Sequence, residues 1–308
     1  MKFAKYVGVV ALAAAGMMSG PVNASVTLSN ADTFSPFNPF GGFDWAPGAA
    51  AWTDGVVAAE AAFQSGGVND VNNKFRIYYA AHAVGIIDPL KNTLFSPNLD
   101  TKADGVGTGL SAPFDSRYEY TIFAYVDLKV TSYEVLANQN CPVLPCVKIS
   151  VESTGGAFDI YYDTNFNAKR QSNNAWTGFN DGSVLITGLF DAGVTNTLDE
   201  DTILTNPVFG FGLNGVVTGQ DTNYINPTLA GTRFSSEFQF RQADPGFQTP
   251  TKVDSTDINQ DPTVEDIFSV DGSQLFFEQV PEPMSLMLVG VALLGAGAAT
   301  RRRRGMQV

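Results

Sequence analysis

A chain of 308 residues with a single histidine, His82, cannot assemble a multi-histidine zinc site, and any Ser-His-Asp triad would depend wholly on that residue. No G-x-S-x-G nucleophile motif occurs either. His82 stands in the run AAHAV at the end of an alternating stretch, so it reads as a structural or surface histidine. Cysteine is almost as scarce, with Cys141 and Cys146 in CPVLPC the only two. Four residues separate these thiols, so they are not a C-x-x-C redox pair, and a metal thiolate pair would lack its further ligands. Basic residues number 18 against 31 acidic ones. Long apolar runs are missing from the whole interior of the sequence and occur only at its two ends.

Those ends explain part of the charge. Lys2 and Lys5 precede the apolar run Tyr6–Met18, Pro21 breaks it, and Val22-Asn23-Ala24 offers small residues before Ser25. This is the pattern of a secretory signal peptide, residues 1–24, cleaved between Ala24 and Ser25. At the other end, Pro281, Glu282 and Pro283 lead into an apolar stretch, Met284–Thr300, followed by Arg301, Arg302, Arg303 and Arg304. Proline fixes φ and lacks an N–H, which keeps the tripeptide extended and suits a segment gripped in a protease cleft. Residues 284–300 are at the short end of a membrane span, and the arginines would stay cytoplasmic by the positive-inside rule. Setting both ends aside leaves 12 basic and 30 acidic residues between Ser25 and Gln279, a formal charge of −18. Such a field repels nucleic acid and anionic lipid, while it permits cation bridging to anionic polymers.

The C-terminal 29 residues, 280–308, closely resemble the PEP-CTERM protein-sorting signal of Gram-negative bacteria, with tripeptide, apolar helix and arginine cluster in order. The resemblance implies Sec export, a transient inner-membrane precursor, and processing near Pro281–Pro283 by an exosortase, a membrane-embedded cysteine protease or transpeptidase. It also implies delivery to the cell surface or extracellular matrix. An ordinary unprocessed C-terminal anchor is the alternative. In an exported chain, Cys141 and Cys146 are expected to form a disulfide pinching the tip of a connection. The small loop limits its worth to about 2 kcal/mol or less.

The exported body, residues 25–279, reads as strands and loops. Phe34–Gly48 is rich in Pro, Gly and aromatics and reads as an extended strap or turns, with Trp45 and Trp52 as candidates for stacking on sugar rings. Thr53–Gln64 is the best helix, capped by Thr53 or Asp54 and stopped at Ser65-Gly66-Gly67. Lys74–Ile87 alternates imperfectly, and Tyr118–Val135 is the clearest strand, with Ile122, Ala124, Val126, Leu128 and Val130 on one face. Val147–Val151 and Phe158–Tyr162 follow as two strands joined by a Gly155-Gly156 turn, and further strands are expected at 184–190, 208–217, 233–242 and 273–277. Residues 248–266 read as an Asp-rich linker or loop. Many short strands with Gly, Asn, Asp and Pro turns predict an all-β protein. The expected architecture is an antiparallel β-sandwich or jelly-roll-like domain with long loops, flanked by the signal helix and the transmembrane helix.

Asp257, Asn259 and Asp261 have the alternate oxygen spacing of a calcium loop, but Pro262 replaces the required Gly and Phe268 the bidentate Glu, so this is not an EF-hand. A looser calcium site there stands against a solvated acidic linker, and no other cofactor is expected. Carboxylates are plentiful, which leaves a two-carboxylate polysaccharide hydrolase open. The stretches FDWAPG (43–48), FDIYYDT (158–164), GFNDGSVLITG (178–188) and FQFRQADPGF (238–247) resemble the flocculation-associated PEP-CTERM proteins of the PepA family. That resemblance implies a non-enzymatic role in flocculation or biofilm cohesion, with anionic or neutral exopolysaccharide as partner. A secreted glycan-binding module is the alternative.

Overall fold

The computed structural model describes residues 25–29, 36–95, 119–135, 147–163, 168–170, 175–199, 209–241, 250–254, 256–257 and 264–276. All of them fall in one contact unit, Ser25–Glu278. In chain order the strands are β1 (Thr27–Leu28), β2 (Gly42–Asp54), β3 (Lys74–Ile87), β4 (Thr93–Phe95), β5 (Glu119–Val135) and β6 (Val147–Asp163). They continue with β7 (Lys169–Arg170), β8 (Ala175–Thr177), β9 (Ser183–Phe190), β10 (Thr195–Asp199), β11 (Phe209–Gln220) and β12 (Ile225–Asn226). The last four are β13 (Arg233–Arg241), β14 (Lys252–Val253), β15 (Thr256–Asp257) and β16 (Val264–Phe276). Helix α1 (Val56–Gly66) and a 3₁₀ turn (Gly67–Asn69) lie between β2 and β3.

Strict alternation drives the main sheet. On β5, Tyr120, Ile122, Ala124, Val126, Leu128 and Val130 are buried, while Phe123, Tyr125, Asp127 and Lys129 between them are half-buried on the other side. Each strand therefore needs one apolar partner face. Eight strands supply it to one another as a ring in the order β2-β3-β5-β6-β9-β11-β13-β16 and back to β2, every pair antiparallel. The sandwich or jelly-roll expectation is thus replaced by one barrel-like closed sheet. Alternation fits both architectures equally, and only the long-range pairs β2–β16 and β6–β9 close the ring.

Three further expectations change. Gly155 and Gly156 (φ 141° and 154°) make no turn. They kink a single 17-residue strand where its second neighbour switches from β10 to β9. Residues 248–266 contribute β14, β15 and the start of β16. Helix α1 begins later than expected because Thr53 and Asp54 end β2, and Gly55 in a left-handed conformation takes the N-cap position with no side-chain cap. Val56 and Ala59 bury its inner face. Asn73 ties the following turn down, its Nδ2 donating to the Val68 and Val130 carbonyls at 3.1 and 3.0 Å.

Aromatic rings fill the interior. Phe158 and Phe234 meet edge to face at 4.9 Å, as do Tyr79 and Phe238. The outward positions carry ion pairs instead, Arg76–Asp127 at 2.7 Å, Lys129–Glu152 at 3.2 Å and Lys91–Glu237 at 3.1 Å. Among the described residues no helix is long and apolar enough to cross a membrane. Both the signal helix and residues 284–300 lie outside the described residues.

The two ends of the described body meet at one end of the barrel. The Val26 carbonyl accepts the Phe40 N–H at 2.7 Å, and the Gly41 carbonyl accepts the Phe276 N–H at 2.7 Å. β1 pairs with β12 there, burying Val26 and Leu28 within a few residues of Ser25.

Candidate functional site

The outer wall formed by β2, β3 and β5 is built in two zones. In the first, Ala50 and Ala80 leave space against which Trp176, Phe179 and Val253 pack, together with Trp52. Those residues come from or adjoin a small sheet in the order β15-β14-β8-β7. Polar groups fasten the same contact. The buried Glu119 carboxylate accepts the Ala168 N–H at 2.8 Å, and Thr121 Oγ1 donates to the Phe179 carbonyl at 2.8 Å. Asp254 accepts the Gly178 N–H at 2.7 Å and the Phe179 N–H at 3.2 Å.

The second zone faces solvent. Trp52, Tyr78 and Tyr125 occupy one register row across the three strands, and Trp52 stacks on Tyr78 at 5.3 Å and 15°. The Arg76 guanidinium lies 4.1 Å from the Tyr125 ring centre and 5.7 Å from that of Tyr78. Asp127 holds it there through two hydrogen bonds, at 2.7 and 3.0 Å. Phe123, Tyr78 and Tyr125 are half-buried, so each shows part of its ring outward. On β6 next door, burial lifts the Asp159 carboxyl above its ordinary value, and Tyr161 is pushed up to about 12 by burial, then by Asp159 and Asp254. Aromatic surface beside fixed charges and hydroxyls is chemistry suited to sugar rings.

Trp45 points into the barrel core and Trp52 lies beneath the small sheet, both 0% exposed, so neither is free to stack on a ligand. The available signal was the presence of Phe123 and Tyr125 on the otherwise polar face of an alternating strand. His82 lies half-buried on the outward face of β3, opposite Thr121. Of Asp257 only the backbone in β15, opposite Lys252, is described. Asn259, Asp261, Cys141, Cys146, Ala24, Pro281, Glu282, Pro283 and Arg301–Arg304 lie outside the described residues. Among the described residues no group of three His, Cys, Asp or Glu is placed to hold a metal ion. A cavity of about 20 Å³ near the α1 end of the barrel is lined by apolar side chains such as Ile77, Val126, Phe211 and Phe240. It is far below the few hundred Å³ of a typical small-molecule site.

Asp44, Asp159 and Asp254 all sit above the ordinary carboxylate value of 3.8, each chiefly through burial, with Asp271 adding to the effect on Asp44. A carboxyl raised on folding contributes stability that is complete below its unfolded value and is lost as pH rises through the folded one. Asp88 acts oppositely. Hydrogen bonds from Asn92 and Leu90 lower it, so its contribution is lost only as pH falls through a value below 3.8. The melting temperature should therefore rise on acidification from neutrality into the upper carboxylate range. Asp44→Asn should raise the neutral-pH melting temperature and flatten that slope. A wild-type melting temperature that falls steadily from pH 7 downward would contradict this reading.

The family model for the PEP-CTERM protein-sorting motif matches residues 279–304. The chain carries a PEP-CTERM sorting signal. That signal marks an exported protein, sorted to the cell envelope or surface and processed by an exosortase. It begins three residues beyond the end of β16 at Phe276, so the PEP-CTERM segment follows directly on a strand that closes the barrel. Neither the curated proteins nor the solved structures offer a match to the chain.

Proposed function

We propose that this PEP-CTERM protein is a non-catalytic component of the extracellular matrix, contributing to flocculation or biofilm cohesion through contact with exopolysaccharide. Its route runs through Sec export and an inner-membrane precursor held by residues 284–300, with an exosortase acting near Pro281–Pro283. The observation that carries the reading is the sorting signal at 279–304. The acidic body supports it, since carboxylates of a −18 domain bridge to anionic polysaccharide through divalent cations. So does the short-motif resemblance to the PepA family. Settling assays on cells lacking the protein test the cohesion role, with slower settling expected, and unchanged flocs would overturn it. Calcium at millimolar concentration should raise the melting temperature if Asp257, Asn259 and Asp261 hold the ion, and an unmoved melting temperature removes that site.

The cluster of Tyr78, Tyr125 and Phe123 beside Arg76–Asp127 favours a second reading, a secreted module for a specific glycan. A glycan array distinguishes the two: discrete hits lost in Tyr125→Ala support the module, and uniform weak binding supports matrix cohesion. A hydrolase would require two carboxylates facing a cleft, and release of reducing sugar from polysaccharide would reveal it.

A further inference from the structure

Among the described residues, the inward polar side chains of the barrel strands that lack a partner gather along one patch of its wall, where the chain's first and last barrel strands meet. There the inward positions of β16 read Gly272 and Gln274, and Ser236 of β13 pairs directly with Gln274. Gln274 and Ser236 are each 1% exposed, yet neither amide atom of Gln274 nor the Ser236 hydroxyl has a protein partner. Trp45 of β2 pairs with Gly272, and its indole N–H is likewise unpartnered. Tyr79 of β3 completes the set. Its hydroxyl has no partner and lies 2.9 Å from the point a Cβ on Gly272 would occupy, so the hydroxyl comes up against the strand at the one position where no side chain stands in its way.

Four strands thus bring five buried polar atoms to one stretch of wall. Leaving such a group desolvated costs about 1–3 kcal/mol, and several together approach the whole stability of a typical domain. Their chemistry defines what would satisfy them. The indole and the amide NH₂ donate only, the amide oxygen accepts only, and the two hydroxyls do both. No cation suits a set so rich in donors. No anion suits a place whose tyrosine already feels the carboxylates of Asp271 and Asp44. The ligand must be neutral, small, and both donor and acceptor.

We propose that the barrel binds ordered water at Gly272, bridging Tyr79, Trp45, Ser236 and Gln274. A buried water needs two to four polar partners, and this patch supplies them from four strands. The neighbouring apolar cavity, with Tyr79 alone able to offer a hydrogen bond, stays dry by the same criterion. The hydrated site has a structural consequence, because it lies on the β2–β16 pair that closes the ring. A one-residue slip of β16 would turn Gln274 outward and break the bridge, so the water specifies the closing register.

Oxygen-17 relaxation dispersion of solvent water, recorded on the purified protein, counts long-lived internal water and tests the site. The wild type should show such a contribution, and Gly272→Ala, whose added methyl displaces the Tyr79 hydroxyl, should reduce it. Tyr79→Phe removes a partner without adding volume and should reduce it too, which covers the case of a Gly272→Ala chain that does not fold. Gln274→Met should lower the melting temperature, since it strands the water's remaining partners. Dispersion retained in Tyr79→Phe, or a Gln274→Met protein more stable than wild type, overturns the proposal.

Discussion

Removing Pro281–Val308 should leave the barrel folded but misplaced. The deletion begins five residues after the last strand, so every sheet pair of the body survives it. What is lost is the matched sorting signal, with its Pro-Glu-Pro tripeptide, apolar stretch and arginine cluster. We expect the truncated chain to disappear from the surface fraction and accumulate in the soluble periplasm or medium, with an unchanged melting temperature. Replacing Pro281 and Pro283 with alanine should give a subtler result, an unprocessed precursor that mass spectrometry identifies by its intact C-terminus. Only four residues, Phe277–Val280, separate the barrel from the tripeptide, and fully extended they reach about 14 Å. A Gly/Ser insertion after Val280 lengthens this short connection and should speed processing. Surface display that survives the deletion would sink the sorting assignment.

The largest effect on stability is expected at Gly215→Val. Gly215 lies in β11 between Phe190 of β9 and Phe234 of β13. A Cβ there would come within 2.1 Å of the Leu189 carbonyl oxygen and 2.4 Å of Phe234 Cζ. The carbonyl is backbone and cannot move aside, and the Phe234 ring is wedged against Phe158 and Phe190 at 4.9 and 5.5 Å. The branched side chain must therefore separate β9 from β11, which unpairs the ring at one of its eight junctions. We expect a loss of more than about 4 kcal/mol, enough to abolish cooperative unfolding in a domain of ordinary stability. Denaturant titration followed by near-ultraviolet circular dichroism reads it out. Gly212→Ala, in the same strand with nothing within 4 Å of its Cβ position, is the control and should stay within about 0.5 kcal/mol of wild type. A Gly215→Val midpoint close to wild type would mean that β9 and β11 are not paired as described.

Much of the strand inventory was legible because alternation is a local signal. Lys74–Ile87 has the bounds its alternation predicted, and Glu119–Val135 begins one residue from the expected start. The helix was found from its apolar face, with its start displaced because Thr53 and Asp54 were claimed by strand pairing with Ile77 and Arg76. The start of β16 was invisible for a related reason. Val264–Asp266 look like acidic loop, and their strand character comes from a bulged pairing with β2 more than 200 residues earlier. The outer aromatic row shows the same limit. Tyr78 and Tyr125 become neighbours only once β3 and β5 adopt their register, and nothing within either strand encodes that.

The sequence by itself determined the C-terminal sorting signal, the acidity of residues 25–279, the lack of the residues for a multi-histidine site or a G-x-S-x-G motif, and the inward face of each long strand. These depend on residue type and short-range spacing alone. The tertiary structure decided that the strands close into a barrel rather than splitting into two sheets, and that Trp45 and Trp52 are core while Tyr78 and Tyr125 face outward. It also decided that Gly272, Gln274, Ser236, Trp45 and Tyr79 share one patch of the closing wall. Each of these rests on contacts between residues distant in sequence, where register and closure choose which of several equivalent apolar faces meet.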